Sequence, residues 1–145
     1  MRLPILFLFL SVLFSAGCDS SALDTPDVQE NIEQEQSTTL RKGNFIPNDD
    51  AGKEAMGSAT LVKVSESLLR VDFSETFSLT PGPSLFVFLS NSEFPSDDAV
   101  NLGSFKSPQG AQMYSVPAGI TLDSFTHVVV YCVPYKVMFA FAELK

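Results

Sequence analysis

The sequence predicts an all-β fold, a compact antiparallel β-sandwich or barrel-like single domain, and three observations predict it. From Gly43 onward, short apolar runs are separated by Gly, Pro, Asn, Asp and Ser, the punctuation of strands and turns. None of these runs repeats its apolar residues at the 3.6-residue spacing of an amphipathic helix. Leu69, Val71 and Phe73 alternate with Arg70 and Asp72, as a strand with one wet face requires.

Taken in order, the chain opens with an address rather than with structure. Arg2 supplies a positive end and Ile5 to Phe14 an apolar run broken only by Ser11, so residues 1–17 read as an export signal. The run is too short for a transmembrane helix, which needs roughly 20 apolar residues. It closes with Ser15-Ala16-Gly17-Cys18, which resembles the lipobox of bacterial lipoproteins. Small side chains there admit the peptidase, and the cysteine thiol accepts a diacylglycerol. Ser15 stands where the family usually has Leu. The resemblance implies lipidation at Cys18 and a cell-envelope protein anchored by acyl chains, such as palmitate, that faces the periplasm or the cell exterior. The competing reading is an ordinary signal peptide beside a chance cysteine. Asp19 resembles the retention signal that keeps some enteric lipoproteins on the inner membrane, a rule that differs between bacterial groups.

Residues 18–42 form a second zone, in which Asp24, Asp27, Glu30, Glu33 and Glu35 lie among Gln, Ser and Thr with few apolar residues. Low hydrophobicity with like charge does not offset the entropy of ordering, so this zone is expected to be a disordered acidic tether. A flexible chain of that length spans roughly 25 to 30 Å, enough to hold a domain clear of lipid headgroups.

Residues 43–145 are expected to form the domain, large enough to bury a core without disulfides. The expected strands are Ala59 to Val64, Leu68 to Phe73, Leu85 to Ser90, Met113 to Val116, Thr126 to Cys132 and Val137 to Leu144. Leu85 to Leu89 is apolar at every position, as is most of Val137 to Ala142, so these strands should be central and covered on both faces. The long Asn91 to Gly110 connection is a candidate cover.

The chain carries a net charge of −8. Cleavage before Cys18 removes Arg2 and no acid, which leaves −9. Nucleic-acid binding depends on Lys and Arg neutralising phosphates, so nucleic acid is excluded as a partner. With Cys18 taken by lipid, Cys132 is the other thiol of the two cysteines and has no intramolecular disulfide partner.

Several motifs come in a characteristic order. They are Gly57-Ser58-Ala59-Thr60-Leu61, Asp72-Phe73, Gly82-Pro83 leading into Leu85-Phe86-Val87-Phe88-Leu89, Leu102-Gly103, Tyr114 with Pro117, Val128-Val129-Val130-Tyr131-Cys132, and Phe139-Ala140-Phe141-Ala142. Over most of Gly43 to Leu144 this order resembles the DM-thirteen domain, a small β module described as an electron-transfer domain. The resemblance implies that Cys132 occupies the position of the family's proposed redox-active cysteine, preceded here by Tyr131 where relatives carry Trp. Relatives often join the module to a haem-type partner domain, which this chain lacks.

On chemistry alone, Cys132 admits two readings. Val128 and Val130 share its face of the strand, which argues for a buried core thiol. Its place at the strand end, before Pro134 and near Lys136, argues for a thiol that emerges into a loop, where cations favour thiolate. His127 is the single histidine. It lies an odd number of residues from Cys132 and therefore on the opposite face, so a Cys-His dyad is not expected. A structural zinc site wants four Cys or His ligands, and no metal site is assigned. Asn48-Asp49-Asp50 and Ser96-Asp97-Asp98 lack the spacing of an EF-hand and read as solvated turns. Gly82-Pro83-Ser84-Leu85 is not a nucleophile elbow but a turn feeding a central strand. Tyr114, Tyr131 and Tyr135 form either an electron-hopping path or packed aromatics with polar tips. No cofactor is assigned, and no constellation of catalytic acids, bases and nucleophiles marks an enzyme.

Two functional classes follow. One is a membrane-anchored redox accessory acting through Cys132 on a redox or envelope protein partner. The other is a non-enzymatic β-sandwich module that binds a protein or glycan at the cell surface.

Overall fold

The computed structural model describes residues 37–145. The signal at residues 1–17, Cys18 and most of the expected tether lie outside the described residues. Ten strands form β1 (Thr38–Pro47), β2 (Ala55–Met56), β3 (Ser58–Ser65), β4 (Leu68–Phe73), β5 (Ser78–Leu79), β6 (Leu85–Ser90), β7 (Val100–Ser104), β8 (Gln112–Val116), β9 (His127–Cys132) and β10 (Val137–Glu143). Eight of them make one antiparallel sheet in the order β7-β6-β9-β10-β1-β3-β4-β8, and β2 pairs with β5. The sheet curls until its terminal strands, β7 and β8, approach one another without a backbone ladder, so the domain is a barrel with one unpaired seam. Among the described residues no helix is long and apolar enough to cross a membrane.

The all-β expectation holds, and the apolar runs are where the strands form. Leu68–Phe73 and Leu85–Ser90 have their expected bounds. Along β4, Val71 and Phe73 are buried while Arg70 and Asp72 pair on the outer side, Nε to Oδ1 at 2.6 Å. Leu85, Val87 and Leu89 of β6 enter the core with Val128, Val130 and Cys132 of β9. Phe45, Phe73, Phe77 and Tyr114 fill one part of the interior, with Phe73 at 4.8, 4.7 and 5.2 Å from the other three rings. Such aromatic pairs add about 0.5–1.5 kcal/mol each beyond the area they bury.

One boundary differs from the expectation. β1 begins at Thr38, so residues 38–42 belong to the sheet rather than to the tether. Its first part pairs with β3 from Thr38↔Lys63 to Asn44↔Ser58, and its last part pairs with β10 from Phe45↔Ala142 to Pro47↔Ala140. This strand joins the two halves of the barrel. It is held there by backbone bonds and by Arg41, whose guanidinium donates to the carbonyls of Phe125 at 2.7 Å and Leu122 at 2.6 Å. An apolar pattern is not what orders it, which is why composition alone assigned it to the tether. Gly43 sits against the backbone of Glu143 so closely that a Cβ would lie 2.1 Å from that carbonyl oxygen.

The Asn91 to Gly110 connection proves to be more than a cover, because it contains the edge strand β7. Its first part does wall the outer face, with Glu93 and Phe94 standing beside Met138 and Phe141.

Candidate functional site

Cys132 ends β9 between Leu85 of β6 and Val137 of β10, its register partners on either side. Period-two alternation puts its side chain with Val128 and Val130, and all three are core residues. The thiol is 1 % exposed and donates to the carbonyl oxygen of Pro83 at 3.1 Å. The buried side of the sequence reading therefore describes the resting thiol. Exposed residues begin one position further on, at Val133 in the hairpin turn.

Two turns adjoin the strands that flank this thiol. The first, Pro81 to Ser84, is fitted to the core through Gly82, where a Cβ would stand 2.4 Å from ring atoms of Phe139. Lys53 Nζ lies 4.4 Å from the centre of the same ring. Ser84 has φ 49°, and Lys136 in the second turn has φ 54°. Among the described residues these are the non-glycine positions in the left-handed region, a conformation that costs an L-residue roughly 1–2 kcal/mol. Both adjoin a strand that flanks Cys132. Backbone strain thus falls in the two turns next to the strands that flank the thiol, and the first of these turns supplies the Pro83 carbonyl that the thiol bonds.

His127 stands at the other end of β9, paired with Ser90 and Glu143. Its Nδ1 is 2.8 Å from Thr126 Oγ1, and its ring lies 5.7 Å from that of Phe141 on the outer face. Five residue steps along the strand separate it from Cys132, roughly 17 Å. The two do not form a dyad. Among the described residues no group of three or more His, Cys, Asp or Glu is placed to hold a metal ion.

A family model described as electron transfer DM13 matches residues 44–144. The chain belongs to the electron transfer DM13 family. No curated protein and no solved structure matches it. The match takes in the whole Cys132 region of the DM13 domain, both turns included, and begins within β1.

Elsewhere in the DM13 domain the sequence motifs resolve into structural roles. Asn48 caps a short 3-10 turn, Asp49–Ala51, with its side chain accepting from the Ala51 amide at 3.3 Å. Ser96, Asp97 and Asp98 lie in the loop before β7. The three tyrosines are dispersed: Tyr135 is 71 % exposed on the hairpin, Tyr131 packs edge-on against Phe88 on the outer face, and Tyr114 is buried. Tyr114 Oη accepts from the Lys106 amide at 3.1 Å and donates to Gln112 Oε1 at 2.6 Å. Burial pushes its hydroxyl above the usual value of 10.0, against the opposing bond from Lys106.

Sequence reasoning missed two features. One is the polar latch that ties the segment just after β7 to β8, in which Gln112 also bonds the amide and carbonyl of Ser107, and Lys106 Nζ reaches the Met113 carbonyl. The other is the outer groove, floored by Met138 and Phe141 and rimmed by Asp49, Asp50, Glu93 and Phe94. A lone Phe94 in a polar loop was the available signal for the groove.

Proposed function

We propose that this protein is a membrane-anchored, extracytoplasmic redox accessory that exchanges electrons through Cys132. The observation that carries the reading is the placement of Cys132 within a DM13-family domain, its thiol bonded to the strained turn before β6 and one residue from an exposed hairpin. The lipobox-like Ser15-Ala16-Gly17-Cys18 supports the anchor, with the acyl chain on Cys18. Chemically, displacement of the Pro83 carbonyl frees the thiol, which loses its proton to solvent. The thiolate then attacks a partner disulfide: the partner S–S bond breaks, a mixed disulfide forms, and a partner thiolate leaves. A second partner thiol regenerates Cys132, so the electrons pass between partner thiols and no other oxidant is needed.

The experiment is thiol labelling of the full chain carrying Cys18→Ser, which leaves Cys132 as the single cysteine. Under native conditions Cys132 should react with an aromatic disulfide much faster than the chain unfolds, at a rate that rises with pH. Labelling only at the rate of global unfolding would sink the redox reading. One observation, the outer groove with Met138 and Phe141 on its floor and acids on its rim, favours a second reading, a non-enzymatic binding module, and that outcome would leave it standing.

A further inference from the structure

The end of the barrel away from Cys132 carries a pocket of its own. The loop between β6 and β7 supplies Asn91 and Asp98, and the connection from β8 to β9 supplies Ile120, Thr121, Ser124 and Phe125, around an open hollow of about 390 Å³. That volume falls within the roughly 300–1,000 Å³ of small-molecule sites. Ser90, just before Asn91, pairs with His127 at the start of β9, whereas Cys132 ends the same strand, so pocket and thiol lie at opposite ends of it.

The two segments are tied together by bonds that leave polar groups of the lining unused. Thr126 donates its amide to the Ser90 carbonyl at 3.0 Å and its hydroxyl to the Asn91 carbonyl at 3.3 Å. Arg41 holds the carbonyls of Leu122 and Phe125. Ser96 donates to Asn91 Oδ1 at 3.3 Å, which orients that amide and leaves its Nδ2 as a donor. Thr121 stands at the N-cap of the 3-10 turn Leu122–Ser124, yet its side chain caps nothing. Capping is the ordinary use of a threonine there, so a hydroxyl that forgoes it is available to a ligand. Among the described residues neither this hydroxyl nor that of Ser124 has a hydrogen-bond partner, and Asp98 has no ion-pair partner.

The donor set selects the ligand. No cation lines the pocket to meet an anion. One carboxylate is too few for a metal ion, and among the described residues no group of three or more His, Cys, Asp or Glu is placed to hold one. Asp98 accepts, Asn91 Nδ2 donates, and the two hydroxyls do either. Adjacent sugar hydroxyls each donate and accept as well, and the C–H face of a sugar ring is apolar, as are Ile120 and Phe125. A cationic amine would match Asp98 but would set donor against donor at Asn91.

We infer that this pocket binds a neutral saccharide. Its hydroxyls bond Asp98 and Asn91 on one wall and Thr121 and Ser124 on the other, and its ring face lies on Ile120 and Phe125. The site uses none of the residues around Cys132 and stands whether or not that thiol exchanges electrons.

Saturation-transfer difference NMR of the full chain, in a detergent without sugar headgroups, tests this with cellobiose, maltose, lactose and diacetylchitobiose as probes. At least one should bind with a Kd of roughly 1 mM or tighter. Binding should be the same at low and high salt, because an uncharged ligand has no ionic attraction to screen. Asp98→Ala and Thr121→Val should each weaken it roughly tenfold by removing one polar contact. Both side chains belong to exposed residues, so melting and the labelling rate of Cys132 should stay at the parent values. Failure of every probe up to about 20 mM, well beyond the millimolar scale of weak binding, overturns the inference. So does binding that both substitutions leave intact, or a pocket that takes up the diamine putrescine in preference to the sugars.

Discussion

The thiol of Cys132 and the carbonyl of Pro83 are 3.1 Å apart, and that one bond joins the last residue of β9 to the turn that precedes β6. Gly82 sets the position of this turn, because nothing larger fits beside the Phe139 ring. Gly82→Ala is therefore expected to push the turn outward and cost about 1–3 kcal/mol of stability by overpacking. The same change should speed native labelling of Cys132, measured against a denaturant melt of the same variant. Labelling that stays at the parent rate despite the lost stability would show that the turn does not guard the thiol.

Replacing the thiol itself separates packing from chemistry. Cys132→Ala removes a core group and should cost on the order of 1 kcal/mol or more through the small cavity left behind. Cys132→Ser keeps a donor for the Pro83 carbonyl and is expected to abolish thiol chemistry while retaining a cooperative melt.

Arg41 supplies a prediction about the domain boundary. Arg41→Ala leaves the Leu122 and Phe125 carbonyls without their charged donor and should destabilise the fold by about 2 kcal/mol. A chain beginning at Gly43 should melt well below one beginning at Ser37, because it lacks the first part of β1. Equal melting temperatures for the two chains would mean that β1 contributes little before Gly43.

Tyr114 gives a pH dependence whose sign is fixed by its environment. Its folded-state pKa is raised above 10.0, so the folded chain holds this proton where the unfolded chain has begun to release it. The resulting stability is complete below pH 10 and is lost as the pH rises through the folded-state value. Tyr114→Phe should flatten that alkaline decline in denaturant melts. At neutral pH it should cost about 1–3 kcal/mol, since Gln112 loses its donor and the Lys106 amide its acceptor.

The anchor is tested separately. Mass spectrometry of the N-terminal peptide is expected to show a chain that starts at Cys18 and carries diacylglycerol on it. An intact chain with an unmodified Cys18 would remove the basis for membrane anchoring.

What could be read in the sequence was what alternation encodes. The faces of β4, the sharing of one face by Cys132, Val130 and Val128, and the separation of His127 from Cys132 all follow from a period of two. β1 was illegible before Gly43 because backbone pairing and Arg41, not an apolar stripe, order it. The outer groove was illegible for a different reason. Asp49 and Asp50, Glu93 with Phe94, and Met138 with Phe141 come from three distant segments, and topology alone brings them together.

The unpaired seam has a mechanical consequence. A ladder gives way only by surrendering several backbone bonds together, whereas the bonds beside the seam, between the segment after β7 and β8, each depend on a side chain of Lys106, Gln112 or Tyr114 that rotates individually. The wall of this barrel therefore has a built-in zip. Along that line the interior can be reached while every strand keeps its existing neighbours, and the amides of β8 that face the seam should be the first of the sheet to exchange with solvent.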